Sequence, residues 1–397
     1  MERKLAYIAT ISRLDKIPDK DRIVYASFKD LGWQVIVDTT HKVGDKVVYI
    51  EIDSIMPLKP EYEFLRKRCF SERWEGFVIK GMKMAGLVSY GLVVPVPAGY
   101  EDKPDGFDMT EVLEIRKRED DNPDIPTVPP SFFEKLVDRL CKKLGIKRKA
   151  QKIGVTRGWL SFAHKTDETR IENLPYLFGD EFKGTPVYTT VKCDGQSVTF
   201  AVFMKHFFMA SRNMVLYRGP IRRAIKELNP RRETRGLDNF RKIASRLDLP
   251  RKMFRESVRR GRDFVIQGEL CGPSIQKNPM GLPSLELFVF NVYYPSPVAP
   301  EQSGPPQEGE FCSWDGITKM CSALGLKTVP FIERRQFDWP DQAALKEYAK
   351  GKYPNGKDRE GVVIRYDSGS GPMPEALYDM SNMWSFKCVN DDYILGK

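Results

Sequence analysis

Lys192 opens the tetrapeptide Lys192-Cys193-Asp194-Gly195, which follows the alternating run Val187-Tyr188-Thr189-Thr190-Val191. Downstream stand Glu269 in FVIQGEL, Glu360 in EGVVIR and Lys387 in SFK. A lysine amine attacks phosphorus only after losing its proton. Near neutral pH it therefore needs nearby positive charge to depress its pKa. Carboxylates on neighbouring strands are suited to hold a hard divalent ion, which neutralises phosphate charge. The tetrapeptide alone carries little information, and a surface lysine beside ordinary strand-edge acids is the plain alternative. Four short signals in this order carry far more. They point to metal-assisted attack by a lysine on a phosphate.

These residues need strands to hold them. From about residue 160 the pattern is mixed α/β, with buried strands expected over 264–270, 285–293 and 361–366. Basic helices are expected over 221–228 and 237–247, and a further helix over 341–350. The arginines on the basic helices, Arg222, Arg223, Arg231 and Arg232, read first as a solvated face. Residues 1–118 read as short strands over 4–11, 23–27, 34–38, 46–52, 77–82 and 92–95. Turn signals such as Asp30-Leu31-Gly32 and Val43-Gly44-Asp45 separate them, which suggests a small barrel. Between the two regions, EDDNPDIPTVPP reads as a linker, followed by helical spacing over 132–144. A Pro- and Gly-rich exposed loop is expected over 295–309. The division is 1–118, a connecting segment 119–159, and 160–397.

Composition narrows the class. The chain has 397 residues, 64 Lys and Arg against 54 Asp and Glu, and a net charge of +10. That sign favours a polyanionic partner. Seven cysteines without a CxxC pair argue against a disulfide framework and against zinc. Three histidines make a His-based metal site or a Ser-His triad a poor fit. The N-terminus lacks the long apolar stretch of a signal peptide, and no run approaches the roughly 20 apolar residues of a membrane span. The expectation is a cytoplasmic, non-membrane protein, with nucleus or organelle left open.

Together the segments resemble the covalent nucleotidyltransferases, the superfamily of polynucleotide ligases and RNA capping enzymes. KCDGQS looks like motif I, Ser211-Arg212-Asn213 motif Ia, FVIQGEL motif III, LFVFNVYY motif IIIa, EGVVIR motif IV and SFKCVN motif V. This likeness spans residues 165–390. The patterns VGDKVVYIEIDS, PEYEFLRKRC and GLVSYGLVVPV, followed by KTDETRIENL, resemble RNA ligases with an N-terminal OB-type domain. That subgroup includes the nick-sealing RNA ligases of Deinococcus and Naegleria type. The C-terminal OB domain of DNA ligases and capping enzymes has no counterpart in the ten residues after Lys387.

The resemblance implies an α+β fold: an N-terminal OB-type β-barrel, then a nucleotidyltransferase domain of antiparallel sheets flanked by helices. It implies ATP and Mg²⁺ or Mn²⁺, and a monomer acting on RNA in the form of a nicked duplex with 3′-OH and 5′-phosphate ends. Lys192 would carry AMP as a phosphoramidate, with Lys387 on the α-phosphate. Asp194, Glu269 and Glu360 would hold the metal directly or through water, with Asp194 alternatively on the ribose. Gly195 belongs to the nucleotide-binding tetrapeptide. Phe290 would stack on adenine, or else be a plain core residue. Arg212 would bond the ribose or the phosphate of the acceptor end, and Arg170 would reach the ATP phosphates. The barrel would grip RNA, so its deletion would spare ATP labelling and cripple joining.

Two positions depart from the pattern. Val191 stands where related ligases often carry an acid that reads adenine, and Ser385 replaces the first of two motif V lysines, with Arg365 a possible substitute. Two rival readings remain at this level: a GTP-using capping-type guanylyltransferase, and a non-catalytic RNA-binding protein with a ligase fold.

Overall fold

The computed structural model describes residues 4–118, 156–157, 160, 162–231, 238–295, 309–369 and 384–396. The expected linker, the helix over 132–144, Arg232 and most of the loop over 295–309 lie outside the described residues.

The N-terminal region is built on one long strand, Ala6–Lys16, that serves two partners. Its first half pairs with Lys46–Ile50 and its second half with Ile23–Phe28. A bulge between Ile11 and Arg13 marks the changeover. The extra residue bends the strand and raises its twist, so a five-stranded sheet curls instead of lying flat. The order across it is Leu92–Pro95, Lys46–Ile50, Ala6–Lys16, Ile23–Phe28 and Gln34–Asp38. Strand alternation sends Ile8, Val48 and Ile50 to one apolar cluster and Tyr7, Ala9, Val47 and Tyr49 to another. The strand expected over 77–82 is two. Gly76–Val78 joins a four-stranded sheet, and Gly81–Met84 leaves it to form a hairpin with Leu87–Tyr90.

The C-terminal region has two sheets. The larger is eight-stranded and centres on Gln196–Phe203, Phe264–Cys271 and Glu286–Tyr294, all antiparallel neighbours. The smaller runs Thr169–Arg170, Ser385–Val389, Gly361–Tyr366, Pro186–Val191 and Phe331–Gln336. Helices Ile221–Glu227, Asn239–Arg246, Leu249–Arg260 and Trp314–Leu324 bury one face each in the core over the larger sheet, through Ile221, Ile243, Met253 and Ile317. Phe240, Ile243 and Ala244 fall at the i, i+3, i+4 spacing that places them on one helix face. Gln342–Ala349 is the further expected helix and packs beside the smaller sheet.

The tetrapeptide at Lys192 is the crossing between the sheets. Strand Pro186–Val191 ends in the smaller sheet, and Gln196–Phe203 begins in the larger. A short crossing between two packed sheets leaves its residues at the cleft that separates them.

Candidate active site

Strand register delivers each acid to the cleft. Ser197 pairs with Glu269, so Glu269 faces the strand that follows the tetrapeptide. Val191 pairs with Val362, and the backbone N–H of Lys192 donates to the carbonyl of Gly361 at 2.9 Å. That bond fixes Lys192 beside the start of the EGVVIR strand, where Glu360 stands. Val363 pairs with Lys387, which places the second lysine one strand further along. Tyr353 ties the arrangement together. Its hydroxyl donates to the Lys192 carbonyl at 3.0 Å and accepts from the Glu360 N–H at 3.2 Å.

Gly195 is required by close approach. A Cβ there would lie 2.4 Å from the Leu270 carbonyl oxygen and 2.9 Å from the Cγ of Glu269. Backbone cannot yield as a flexible side chain can, so Gly195→Ala must push the crossing away from Glu269. A misplacement of about an ångström costs on the order of a hundredfold in rate. The expected outcome is a loss of that order in covalent ATP labelling of a folded protein, read by electrophoresis beside a circular dichroism spectrum.

The crossing, the two acids and Lys387 line a single cavity of about 500 Å³. Lys192, Asp194, Gly195, Arg212, Glu269, Phe290, Glu360 and Lys387 all line it. This volume suits a nucleotide-sized ligand. Lys192 Nζ lies 2.6 Å from Glu360 Oε2. Burial disfavours the Lys192 ammonium, yet the carboxylates of Glu360, Glu269 and Asp194 outweigh it and hold its pKa above the usual lysine value. Burial pushes Glu269 up to about 8, against the pull of Lys192. Burial likewise draws Lys387 down to about 8, helped by the charges of Lys192 and Arg170. In this chain alone the acids dominate and favour the Lys192 ammonium, so the expected depression is one that an added positive charge, such as a divalent ion, would have to supply.

Among the described residues, no three His, Cys, Asp or Glu side chains converge as an ion cage. Asp194 accepts a hydrogen bond from the hydroxyl of Tyr393 on the C-terminal helix Asp391–Gly396. Glu360 faces Lys192. The carboxylate oxygens suit a hard ion that keeps its waters and completes its shell on substrate phosphates, as Mg²⁺ does, and do not suit a dehydrated protein cage.

Arg170 stands beside the cavity. It pairs in register with Lys387 but does not line the cavity. Its guanidinium packs against two barrel rings, 5.6 Å from the Trp33 centroid and 5.5 Å from that of Tyr90. Burial opposes its charge, and Glu172, Tyr90, Asp53 and Glu360 more than restore it.

Other parts of the cavity were not legible in the motifs. Glu168 accepts from Arg365 at 2.7 Å and from the Ser385 hydroxyl. The serine of motif V thus shares its acid with a buried arginine that also lines the cavity, 5.5 Å from the Phe290 ring. Asp167 pairs with Arg212 at 2.6 Å. Both acids sit in KTDETRIENL, a segment visible in the sequence, whose charged residues were the available signal. Arg73 reaches the cavity lining from the barrel, and no spacing announces it.

The barrel is thus joined to the site. Gly32 donates from its N–H to the Glu172 carbonyl at 2.9 Å and accepts from Gln342 Nε2 at 2.8 Å. Trp33 Nε1 donates to Asn173, and Tyr90 donates to Asp391. A Cβ on Gly32 would lie 2.8 Å from the Glu172 Cα. Gly32→Val should separate the domains while sparing both cores. ATP labelling is then expected to slow by on the order of ten- to a hundredfold, because the Arg170 and Lys387 strands lose their backing. This reverses the expectation that the barrel is dispensable for labelling. Wild-type labelling in a Gly32→Val protein whose barrel is freed, by limited proteolysis, would restore it.

Residues 185–379 match the family model for RNA ligase, and residues 5–96 match a model for an OB-fold domain. No curated protein matches the chain in sequence. Among solved structures the chain is similar to Naegleria gruberi RNA ligase with PPi, at 22% identity and a TM-score of 0.70, over 100% of this chain and 99% of that one. A mutant of that ligase with ATP and Mn aligns at 22% identity and a TM-score of 0.69, over 99% and 98% of the two chains. Another with AMP and Mn aligns at 23% and 0.71, over 100% and 99%. Part for part, the chain is an OB-fold domain followed by an RNA ligase domain.

Proposed function

We propose that this ligase, with its RNA ligase family domain over residues 185–379, is ATP-dependent and joins 3′-OH and 5′-phosphate RNA ends in a nicked duplex. The observation that carries the reading is the half-buried Lys192, 2.6 Å from Glu360, inside a cavity of about 500 Å³ that also holds Glu269, Phe290 and Lys387. Similar structures contain ATP or AMP with Mn.

The chemistry follows from these positions. Lys192 Nζ attacks the α-phosphorus of ATP. A P–N bond forms, the bond to the β-phosphate oxygen breaks, and pyrophosphate leaves with the electron pair. AMP then passes to the RNA 5′-phosphate and regenerates the lysine. The 3′-OH attacks the activated phosphate, AMP leaves, and the phosphodiester remains. Glu360 fixes the nucleophile's direction. Lys387 meets the charge that grows on the α-phosphate oxygens. Phe290 offers a ring face to adenine, and backbone groups of the strand ending at Val191 take the place of an acidic reader. Arg212, which pairs with Asp167 at the half-exposed mouth, takes the acceptor end in this reading.

Glu269 and Glu360 are the residues that would hold Mg²⁺ or Mn²⁺, with Asp194 held back by Tyr393. Such an ion supplies positive charge that withdraws the acids' support for the lysine ammonium and neutralises phosphate.

The test is incubation with labelled ATP or labelled GTP, then denaturing electrophoresis, and sealing of a nicked RNA duplex. An adduct with ATP and a sealed nick are expected. An adduct with GTP alone would point to a capping-type guanylyltransferase, and no adduct at all to an RNA-binding protein. The resemblance also leads us to expect that the nucleotides at the 3′-OH side are RNA. Among the described residues, no helix is long and apolar enough to cross a membrane.

A further inference from the structure

The chain's positive charge is concentrated in one segment. Residues 211–262 contain 17 Lys and Arg against 5 Asp and Glu, a net of +12. The rest of the chain contains 47 against 49, so this segment alone accounts for more than the whole net charge of +10. Residues 1–118, the barrel region, hold 20 against 19. A surface that binds nucleic acid by its backbone must supply cations, and a near-neutral barrel supplies no such excess.

The three helices of that segment form one layer. Ile221–Glu227 and Asn239–Arg246 both pack on Leu249–Arg260. Their apolar sides, with Ile221, Ala224, Phe240, Ile243, Leu249 and Met253, are sunk in the core. Some of the arginines are spent on the fold. Arg241 is buried and donates to the Leu216 carbonyl and to Asp238, the N-cap of its helix. Arg259 and Arg260 share Glu256. Arg222, Lys226, Lys242 and Arg255 are different. All four are exposed, and among the described residues none forms an ion pair.

This layer borders the active-site cavity. Phe240, in the first turn of the middle helix, lines the cavity wall, as do Arg212 and Asn213 at the turn that leads into the segment. A ligand with a reactive end in the cavity and negative charge running out of it can leave beside Arg212 and run onto this layer. An RNA duplex fits that description. An isolated acidic peptide or a lipid surface has no reactive end to place there.

We propose that the phosphate backbone of the RNA substrate is held by this helical layer, through Arg222, Lys226, Lys242 and Arg255, and not mainly by the barrel. The proposal rests on the reading of the cavity as an RNA-joining site. The barrel's tie to Arg170 and its contribution of Arg73 to the cavity give it a different task, the support of the nucleotide site.

The experiment compares two full-length variants with the wild type. One carries R222A, K226A, K242A and R255A; the other removes four exposed barrel lysines as K20A, K29A, K42A and K80A. Binding of a nicked RNA duplex is followed by fluorescence anisotropy over a salt series. Each lost phosphate contact flattens the slope of log affinity against log salt by on the order of 0.9. The helical variant should flatten it by about 2 to 4, weaken sealing, and still be labelled by ATP. The barrel variant should keep the wild-type slope. A wild-type slope in the helical variant, or flattening in the barrel variant alone, would overturn the proposal. The four single substitutions are measured alongside, so misfolding of the quadruple variant still leaves four slopes to decide the matter. Failure of the joining reading looks different: the wild type would not be labelled by ATP, whatever the slopes show.

Discussion

Lys192→Ala is expected to abolish covalent labelling by ATP and to leave sealing of a pre-adenylylated nick largely intact. The first effect is total because alanine has no nucleophile, and among the described residues no other lysine that lines the cavity is held as Lys192 is. Its backbone is pinned to Gly361 and Tyr353, and its amine to Glu360. Lys387 also lines the cavity but belongs to another strand, where it faces no such carboxylate grip. The second effect separates a carrier from a general electrostatic role. Lys192 is needed to take AMP and hand it on; once AMP is on the RNA that work is done. The measurement is acid-labile label on the protein in one assay and joined product from a pre-adenylylated nick in the other. An adduct that persists in Lys192→Ala would remove the nucleophile assignment.

Lys387→Ala and Glu360→Ala should behave in the opposite way and slow sealing of the pre-adenylylated nick as well. Charge develops at phosphorus in every step, so residues that meet that charge are required throughout. Removing one preorganised group of this kind costs on the order of 10² to 10³ in rate. Lys387 adds a pH signature. Its pKa in the free enzyme is drawn down to about 8, first by burial and then by Lys192 and Arg170. The ammonium is therefore largely present at pH 7 and is lost as pH rises through about 8. In kcat/KM, which reports the free enzyme, the wild type should lose activity on the alkaline side of that pH, and Lys387→Ala should lose that limb. Two variants sealing at the wild-type rate would take both residues out of the site.

These expectations place the strongest demands on residues that could be read without a structure. Lys192, Glu269, Glu360 and Lys387 stand in short segments whose strand character is carried by local pattern, alternation in VYTTV and a continuous apolar run in FVI. Alternation with period two is a property of adjacent residues, so it survives in the sequence. The same is true of the bounds of Gln34–Asp38, Leu92–Pro95 and Gly361–Tyr366, which fall where the pattern placed them. Gly195 was marked only by its place in the tetrapeptide; the steric reason for it came from Leu270 in another strand.

What the tertiary structure alone decided is which distant groups meet. The hydroxyl of Tyr393 finds Asp194 across 199 positions of chain, and Trp33 finds Asn173 across 140. Tyrosines, tryptophans and arginines are common, and nothing in their neighbours' identities encodes a partner so far away. Arg170 shows the consequence. Its residue type and its place upstream of the nucleophile suit a phosphate contact, and only the docked barrel reveals the rings of Trp33 and Tyr90 that its guanidinium also packs against. Charge behaves the same way. The sequence contains the excess of cations in residues 211–262, but whether an arginine is spent on a neighbouring acid or left facing solvent depends on helix packing. Local chemistry is written in adjacent residues; pairing across a cleft depends on the free energy of the whole packed chain, and so it appears only when the chain is folded.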